Sequence, residues 1–581
     1  MKSCYNLSLR LLFFLAVILI SNRVLAVELF KNGSTTYTIV VAPDASATEK
    51  NAAKELSEYL NKVSGAAFPV VFNLNHNTGN HIFVGYNDRI AAYVHSRKPA
   101  DDDESFTYLT VGDDIIIFGG RSRGTQYGVF SFLEQQIGVH WYAHDYTHIP
   151  TLKTLSLPKL NHHESPAFIN REPYYYAFRK NADYAAHNLQ NCSEAFLKDR
   201  KYGSPKQYWA NHTMAVLLPA KQWFSSHPEY YAMRSGKRVD NGQLCLSNKN
   251  VVKLLTEAML KKIKELPDYW CYDLSQLDNR LFCECRNCQS IEKRYGGHSG
   301  LILWAVNQVA DAVNQVYRVK FIGSFAYSYS QQPPKGIRPS DNVIIRLCDV
   351  SCCFVHPLSE CSKNADFMKY IREWSAIAKR LYIWDYIVGF TNYLAPFPNF
   401  DVLAQNLRTF RQYNARGVFE EGQYQSYYRQ FSELRQWVIA KLLWNPDQDV
   451  NALVRQFIYD YYGSAAKEIL QYYNLTQQLV KPETHLTIFF KTDNPIFTNS
   501  YIQKSMGILD KAMRKVSGDN VFSERVDRVR AQILYLQYRT QKIKSVSTGA
   551  FNDLLKTLRR DKTHVHEKQS YKQFLETEGF M

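Results

Sequence analysis

Four acidic residues stand at or near the ends of apolar runs that read as buried strands. Asp278 follows the run that begins at Trp270, Asp385 interrupts an aromatic run, and Glu420 and Glu421 stand side by side at the end of a third run. An unpaired buried carboxylate is costly, and like charges side by side raise a carboxyl pKa toward that of an acid catalyst. Glycoside cleavage needs one group to protonate the leaving oxygen and another to stabilise or attack the sugar cation. These carboxylates are therefore candidates for that chemistry.

Polar and aromatic side chains in the same strand-end zones form a candidate substrate-binding surface. They are His212, Asn279, Tyr327, Trp384 and Tyr386, and amphipathic aromatic rings of this kind suit stacking on sugar faces. Two of these residues also have a purely structural interpretation. Asn279, with the aspartate before it, could cap the next element, and His212 could be a core histidine whose hydrogen bonds are satisfied.

The elements that would position these residues follow one another in a regular order after Phe168. Short apolar segments alternate with longer helical or irregular stretches, and this order implies parallel pairing. Eight such segments are predicted as strands, at 171–178, 208–218, 243–248, 269–276, 320–329, 342–350, 380–388 and 415–422. Eight is the count of a (β/α)₈ TIM-like barrel, in which the chemistry lies at the carboxyl ends of the strands. We therefore predict an α/β fold with such a barrel at its centre.

Different patterns flank the predicted barrel. Strand and helix signals alternate over residues 35–160, with a hairpin turn at Asp113-Asp114 and a helix whose apolar face repeats every three or four residues. After Phe431 the signals are helical. We predict a signal peptide at 1–26, a small α/β domain at 27–162, the catalytic barrel at 163–430 and an α-helical region at 431–581.

The first residues and the charge balance restrict cellular location and partners. Lys2 and Arg10 precede LLFFLAVILI, and Val24-Leu25-Ala26 supplies the small residues of a signal-peptidase site, so we expect an exported protein, periplasmic or extracellular. No later run is long and apolar enough to predict a span in the mature protein. The net charge of +16 is scattered without a dense basic block, and no nucleotide-binding fingerprint is present, so nucleic acid is not an expected partner.

Ten of the 11 cysteines lie outside the predicted signal peptide. Export favours disulfides or packed thiols. A structural metal is the alternative, because Cys283, Cys285 and Cys288 are followed by a second group. That second group comprises Cys348, Cys352, Cys353 and Cys361, and thiolates are good zinc ligands. No metal or cofactor is expected at the catalytic site.

Several motifs carry a resemblance to known families. The segment GGRSRGTQYGVFSFLEQQIGVHWYAHD resembles the small domain that precedes the barrel in family 20 β-hexosaminidases and in α-glucuronidases. A bacterial family once labelled only as a domain of unknown function, DUF4838, is similar over roughly residues 110–465, and part of it is classed as glycoside hydrolase family 163. The motifs that carry this similarity include HPEYYAMRSGKR, SQLDNRLFCECRNC, YIWDYIVGF, YLAPFPNF and GVFEEGQY.

The resemblance implies an exported, retaining endo-β-N-acetylglucosaminidase that cuts the core of complex N-glycans. By analogy with family 20, the acetamido oxygen of the substrate attacks the anomeric carbon. The resemblance assigns acetamido orientation to Asp278 and the acid/base role to Glu420, with Glu421 as the alternative. It assigns sugar binding to His212 and Asp385. The expected partner is a glycan or glycoprotein substrate.

Other functions remain open from the sequence. One is a glycosidase of different specificity, such as a uronidase or an exo-hexosaminidase, and another is a non-catalytic glycan-binding protein with the same aromatic cleft. A zinc-dependent hydrolase is the least favoured, because catalytic zinc usually keeps histidine ligands and an open position.

Overall fold

The computed structural model describes residues 26–72, 79–94, 97–540 and 548–578, so all of the predicted signal peptide except Ala26 lies outside the described residues. The chain divides into two compact units. The first holds the described residues up to Trp141, with Thr147–Ser165 and Lys201–Gly203. The second holds Tyr142–Tyr146, Pro166–Arg200 and the described residues from Ser204 onward. The predicted boundaries at residues 162 and 430 stay predictions.

The first unit is a mixed sheet with a long helix, as the alternating sequence signals predict. Its six-stranded sheet has the order β10-β5-β6-β4-β2-β3, and a separate antiparallel pair joins β1 to β9. Its strands are β1 Val27–Lys31, β2 Tyr37–Val41, β3 Val70–Val71, β4 Asn80–Val84, β5 Phe106–Val111, β6 Asp114–Gly119, β9 Thr154–Leu157 and β10 Asn161–Glu164. Two short strands, β7 His140–Ala143 and β8 Tyr146–His148, complete the numbering of this stretch.

Local sequence explains how these elements begin and end. Helix α1, Ala47–Ser64, starts with a capping box between Ser46 and Glu49 and ends at Gly65, whose φ of 72° is the left-handed conformation that glycine tolerates best. Its predicted apolar face is fully buried. The hairpin predicted at Asp113-Asp114 is confirmed, because β5 and β6 pair there. The remaining helices of this stretch are α2 Asp88–Val94, α3 Gly124–Phe132 and the π-helix Leu133–Ile137.

A seven-stranded parallel sheet forms the centre of the second unit, with the order β11-β19-β18-β17-β16-β15-β12. Arg346 of the central strand β17 shows that this sheet is curled. Its guanidinium lies 3.7 Å from the ring of Tyr208 on one edge strand, and Nη2 lies 3.8 Å from Oε2 of Glu172 on the other. The strands are β11 Asn170–Tyr174, β12 Tyr208–Trp209, β15 Cys271–Asp273, β16 Phe321–Ala326, β17 Val343–Cys348, β18 Leu381–Tyr386 and β19 Ala415–Glu421. The predicted α/β class with a barrel-like sheet is confirmed.

The predicted count of eight strands is wrong for the described residues. Segment 243–248 contributes no strand to the sheet and makes one isolated bridge, between Tyr231 and Leu244. Two of its side chains have other structural roles. Cys245 packs in a cluster of thiols, and Asn248 caps the helix that follows. Segment 208–218 is a strand only at Tyr208–Trp209, since Ala210 and His212 adopt positive φ values of 54° and 56° that break the extended backbone.

Helices cover the sheet and form the rest of the second unit. Among its described helices, none is long and apolar enough to cross a bilayer. The α-helices are α4 Tyr176–Lys180, α5 Ala182–His187, α6 Met214–Leu217, α7 Ala220–Trp223, α8 Lys249–Glu265, α9 Arg286–Tyr295, α10 His298–Val316, α11 Ala365–Ile377, α12 Phe400–Gln412, α13 Ser432–Trp444, α14 Val450–Tyr462, α15 Ala466–Gln477, α16 Asn499–Val516, α17 Asn520–Thr540, α18 Thr548–Arg560 and α19 Tyr571–Thr577. Short 3-10 helices are Glu194–Leu197, Arg200–Tyr202, Pro228–Tyr230, Ser328–Ser330, Ser362–Asn364 and Gly463–Ala465.

Two small hairpins interrupt the helices. They are β13 Met233–Arg234 with β14 Lys237–Arg238, and β20 His564–His566 with β21 Gln569–Ser570. The second hairpin lies far along the chain from the barrel strands, yet it reaches the same unit. Glu567 at its turn donates its backbone N–H to the Phe390 carbonyl at 3.1 Å, and Tyr393 donates to Val565 at 3.0 Å. The C-terminal part therefore borders the carboxyl ends of the barrel strands.

Candidate active site

A cavity of about 400 Å³ opens at the carboxyl ends of the parallel strands. It is the place where barrel-like folds gather their chemistry. Six of the residues predicted from the sequence line it, namely His212, Asp278, Tyr327, Trp384, Tyr386 and Glu421. Three other predicted residues, Asn279, Asp385 and Glu420, are not part of its lining.

Strand geometry separates Glu420 from Glu421. Successive side chains of a strand point to opposite faces, and Glu421 pairs with Tyr386 while Glu420 pairs with Asp385. Tyr386 and Glu421 face the cavity. Glu420 and Asp385 consequently point to the opposite face of the sheet, where Glu420 is fully buried. The acid/base role expected for Glu420 and the sugar contact expected for Asp385 thus do not match their positions.

Glu421 has the environment of an acid held in its protonated form. The indole Nε1–H of Trp384 donates to its Oε2 at 2.8 Å. Burial raises the pKa of Glu421 to about 8, and the charges of Glu567 and Asp278 add to the increase, whereas the Trp384 hydrogen bond opposes it. A carboxyl group with a pKa near 8 is largely protonated at pH 7 and can donate that proton to a leaving oxygen.

Asp278 lies across the cavity on the loop that follows β15, and its side chain is exposed. The hydroxyl of Tyr327 donates to its Oδ1 at 3.0 Å. The carboxylate accepts hydrogen bonds and the phenol donates them. The one proton of this phenol is already donated to Asp278, so the remaining lone pairs of the carboxylate are the acceptors offered to an N–H that enters the cavity.

Asn279 has the structural role that the sequence left open. Its Oδ1 accepts from the backbone N–H of Leu281 at 2.9 Å and from Nε2 of Gln243 at 3.0 Å. Its Nδ2 donates to the Asn241 carbonyl at 3.2 Å. These bonds close the loop behind Asp278. Asn279 therefore orders the loop and does not contact the cavity.

His212 is oriented by the same loop. Its backbone N–H donates to Ser275 Oγ at 3.0 Å, and its Nδ1 lies 2.7 Å from the Gln276 carbonyl oxygen. A carbonyl oxygen only accepts, so Nδ1 carries the proton and Nε2 of the neutral ring is an acceptor. His212 can therefore accept a hydrogen bond from a sugar hydroxyl.

Asp385 belongs to a buried group of three carboxyls that the sequence did not reveal as a unit. Glu420 lies opposite it on β19, and the backbone N–H of Asp349 donates to the carbonyl of the preceding Trp384 at 3.3 Å. Burial and the charge of Asp385 raise the pKa values of Asp349 and Glu420 well above the ordinary range, and burial raises that of Asp385 to about 6. We call Asp349, Asp385 and Glu420 the buried carboxyl triad. Its members share protons because three charges cannot coexist there.

Arg346 lies beneath the cavity and contacts residues that line it. Its Nη1 donates to Oδ1 of Asn211, a cavity residue, at 2.8 Å. Its guanidinium also lies 5.1 Å from the ring of Trp384. Burial raises the pKa of its partner Glu172 to about 7, and the positive charge of Arg346 opposes that increase. A charged residue inside an apolar strand, VIIRLC, was the one signal in the sequence for this group.

The far wall of the cavity comes from the C-terminal part of the chain. Ile488, Phe489, Glu567 and Lys568 line it. The Tyr424 hydroxyl donates to Oε1 of Glu567 at 3.2 Å. No local sequence pattern marks these residues, because their segments are irregular or form a short hairpin.

Of the two arrangements expected from export, disulfides or packed thiols, the described cysteines show the second, because all ten are buried free thiols. Four of them, Cys245, Cys283, Cys285 and Cys288, come together behind the loop of Asp278. These four thiols therefore pack against one another behind that loop.

Comparison with solved structures shows the same fold in a glycoside hydrolase. A family GH115 4-O-methyl-α-glucuronidase, BtGH115A, with specificity for decorated arabinogalactans, is 12% identical, with a TM-score of 0.58 over 92% of this chain and 77% of that one. The chitobiase FjGH20 of Flavobacterium johnsoniae is also 12% identical, with a TM-score of 0.48 over 93% of this chain and 94% of that one. No curated protein matches the sequence. Residues 141–474, more than half of the chain, match the family described as a domain of unknown function, DUF4838, and the chain belongs to that family.

Proposed function

We propose that this protein is a retaining glycoside hydrolase that cleaves N-acetylglucosamine linkages, as an endo-β-N-acetylglucosaminidase on complex N-glycans. One observation carries the proposal: Glu421, a carboxyl group whose pKa burial raises to about 8, lines the same cavity as the hydrogen-bonded Asp278–Tyr327 pair. A protonated acid serves the leaving group, and the pair suits an acetamido group. We also propose that the protein is exported, on the basis of its N-terminal sequence.

The reaction begins with the acetamido group as the nucleophile. Asp278 accepts the acetamido N–H, and its negative charge stabilises the positive charge that develops as the carbonyl oxygen attacks the anomeric carbon. Tyr327 holds Asp278 in position through the bond that it donates. As the bond from the anomeric carbon to the leaving oxygen breaks, Glu421 gives its proton to that oxygen. The products of this step are the free aglycone and a cyclic oxazolinium intermediate.

Glu421 then acts as the base in the second half of the reaction. Its carboxylate takes a proton from water, and the resulting hydroxide adds to the anomeric carbon and reopens the ring. The sugar leaves with its original configuration, and Glu421 is protonated again. Two inversions at one carbon account for retention.

Aromatic side chains supply the sugar-binding surface. Trp384 and Tyr386 project from β18, and Tyr174 projects from β11. Phe489 faces them from the C-terminal segment and is 58% exposed. Such rings stack on the apolar faces of sugars, and their spread over both walls suits an extended glycan.

The proposal is tested by incubating the purified protein with a glycoprotein that carries complex N-glycans and analysing both products by mass spectrometry. We expect free oligosaccharides that keep one core N-acetylglucosamine and a protein that retains the other. Release of only terminal sugars, or cleavage of uronic acid aryl glycosides instead, would assign a different specificity. Tight glycan binding without cleavage by the unmodified protein would identify a binding protein.

A further inference from the structure

Two groups of four metal-ligating side chains stand out among the described residues of the second unit. One is made of Cys245, Cys283, Cys285 and Cys288, which we call the four-cysteine cluster. The other is made of Cys353, His356, Cys361 and His485, which we call the two-histidine cluster. Within each group the four ligand atoms lie within 4.8 Å of one another.

The four-cysteine cluster has the dimensions of a tetrahedral zinc site. Sγ of Cys245 lies 3.6 Å from Sγ of Cys285 and 3.8 Å from Sγ of Cys288. Four sulfurs at the usual Zn–S distance of about 2.3 Å form a tetrahedron with edges of about 3.8 Å. A disulfide bond is much shorter, at about 2.05 Å. The thiols are thus spaced for a common ion and not for pairing.

The surroundings of this cluster suit the negative charge of four thiolates. The backbone N–H of Met233 donates to Cys283 Sγ at 3.3 Å, and Nη1 of Arg238 lies 3.8 Å from the same sulfur. Cys285 is also the N-cap residue of α9, where the positive end of the helix dipole lies. Donors of this kind orient and stabilise the ligands of a bound metal.

The two-histidine cluster has matching dimensions. Nδ1 of His485 lies 3.4 Å from Cys353 Sγ and 3.6 Å from Cys361 Sγ, and Nδ1 of His356 lies 3.5 Å from Cys353 Sγ. With Zn–N and Zn–S distances of about 2.0 and 2.3 Å, nitrogen and sulfur ligands lie about 3.5 Å apart.

The orientation of one imidazole in this cluster gives independent support. Nε2 of His356 lies 3.0 Å from the Lys481 carbonyl oxygen, so Nε2 is the protonated nitrogen and Nδ1 presents its lone pair to the cluster. Ligating histidines typically donate their second nitrogen to a carbonyl or carboxylate in this way. The loop is braced further, because Oδ1 of Asn364 accepts from the Cys353 backbone N–H at 2.7 Å.

We propose that the protein binds two structural zinc ions, one in each cluster. Zinc is the ion that prefers tetrahedral sets of four cysteines or of two cysteines and two histidines. Four protein ligands fill the coordination sphere, and none of these eight residues lines the catalytic cavity. The ions therefore act on the fold and not on the substrate.

Each ion secures one wall of the cavity. The four-cysteine cluster ties Cys245 to the loop that follows Asp278. The two-histidine cluster ties the loop after β17 to His485, three residues before the cavity residue Ile488. The positions of Asp278 and Ile488 thus depend on the two metals.

The test is the zinc content of the purified full chain, measured by inductively coupled plasma mass spectrometry after removal of loosely bound metal. We expect two zinc ions per chain, and one in each of Cys285→Ser and His485→Ala. The matched control is Cys352→Ser, which changes a buried cysteine that belongs to neither cluster and is expected to keep two. A content near zero in the unmodified chain, or iron in place of zinc, would overturn the proposal.

A second measurement on the unmodified chain does not depend on whether the variants fold. The protein is denatured with a chelator and without reductant, and its thiols are alkylated and counted by mass spectrometry. We expect all ten cysteines outside the predicted signal to be alkylated, with two zinc ions released. A peptide-mapped disulfide within either cluster would contradict the proposal. Both measurements are independent of glycosidase activity.

Discussion

The two faces of strands β18 and β19 carry carboxyl groups in contrasting settings. On the cavity face, Glu421 is 9% exposed and accepts a hydrogen bond from Trp384. On the opposite face, Glu420 is fully buried, and burial and the charge of Asp385 raise its pKa well above the ordinary range. Both settings raise the pKa of a carboxyl group, but only Glu421 lines the cavity. A perturbed pKa therefore locates a catalytic acid only when the group also has access to a ligand.

Substitution of the two neighbouring glutamates tests the difference between the two faces most directly. We expect the largest effect on kcat here. Glu421→Gln removes the proton donor, so we expect kcat to fall by about 10³-fold, within the range for general acid catalysis. Glu420→Gln is the matched control, because the amide keeps the shape of a protonated carboxyl, and we expect a loss of less than about tenfold. The measurement is kcat on a glycoprotein substrate, with folding checked by circular dichroism. An equal loss in both variants would remove the distinction between the faces.

The partner across the cavity gives the next effect. Asp278→Asn removes the negative charge that stabilises the cyclising acetamido group, and we expect a fall in kcat of about 10²-fold, comparable to the loss of one preorganised electrostatic contact. Tyr327→Phe removes the bond that holds Asp278, with an expected loss of about tenfold. Asp240→Asn, on an exposed residue outside the cavity lining, is the control. An unchanged kcat in Asp278→Asn would mean that another residue stabilises the acetamido group during its attack.

The buried carboxyl triad predicts how stability depends on pH. Burial raises the folded-state pKa of Asp385 to about 6, so the folded state keeps a proton that the unfolded state releases above about pH 4. The free energy of unfolding therefore falls as pH rises from about 4 to 6, by about 1.4 kcal/mol per pH unit for each such group. Asp349 and Glu420, with pKa values raised well above the ordinary range, extend this loss to higher pH.

Urea denaturation between pH 5 and pH 9 measures this slope. Glu420→Gln is expected to flatten it, because glutamine is neutral at every pH. Glu373→Gln changes an exposed residue and is expected to leave the slope unchanged. A slope that is the same in all three proteins would show that the triad does not hold protons in the folded state.

The smallest expected effect concerns the pH profile of activity. The proton on Glu421 is needed for the first step, so kcat/KM is expected to fall above about pH 8. Trp384→Phe removes a hydrogen bond that favours the carboxylate, which raises the pKa of Glu421 and moves this alkaline limb upward by about one unit. Trp384→Tyr, measured in the same way, tests whether the size and polarity of the ring also affect the position of the alkaline limb. A limb that does not move in Trp384→Phe would mean that another group controls it.

The sequence predicted the class of fold well, because the spacing of apolar residues along the chain reflects which faces of helices and strands are buried. The buried face of α1 and most of the parallel strands were predicted from apolar patterns, and these apolar residues are buried in the fold. The strand predicted at 243–248 was wrong for a physical reason. Its apolar residues are buried because Cys245 packs in a thiol cluster, not because the segment joins the sheet. Apolar runs alone do not distinguish a strand from a buried irregular segment.

The site was predictable in part. Carboxylates at strand ends identified Asp278 and the Glu420–Glu421 pair, but a shift of one residue reverses the face of a strand, and no register can be read from an isolated run. Asp349 and Arg346 gain their roles only when neighbouring strands bring them to their partners. Glu567 was beyond prediction because it is far from the barrel strands in sequence.

The hairpin β20–β21 has a consequence for biosynthesis. Every strand of the parallel sheet has been synthesised once Glu421 is added, yet the cavity gains Glu567 and Lys568 only about 145 residues later. A nascent or truncated chain that ends before this hairpin can contain the whole sheet and still lack part of the substrate wall. Synthesis of this hairpin, and not of the sheet, therefore completes the lining of the cavity.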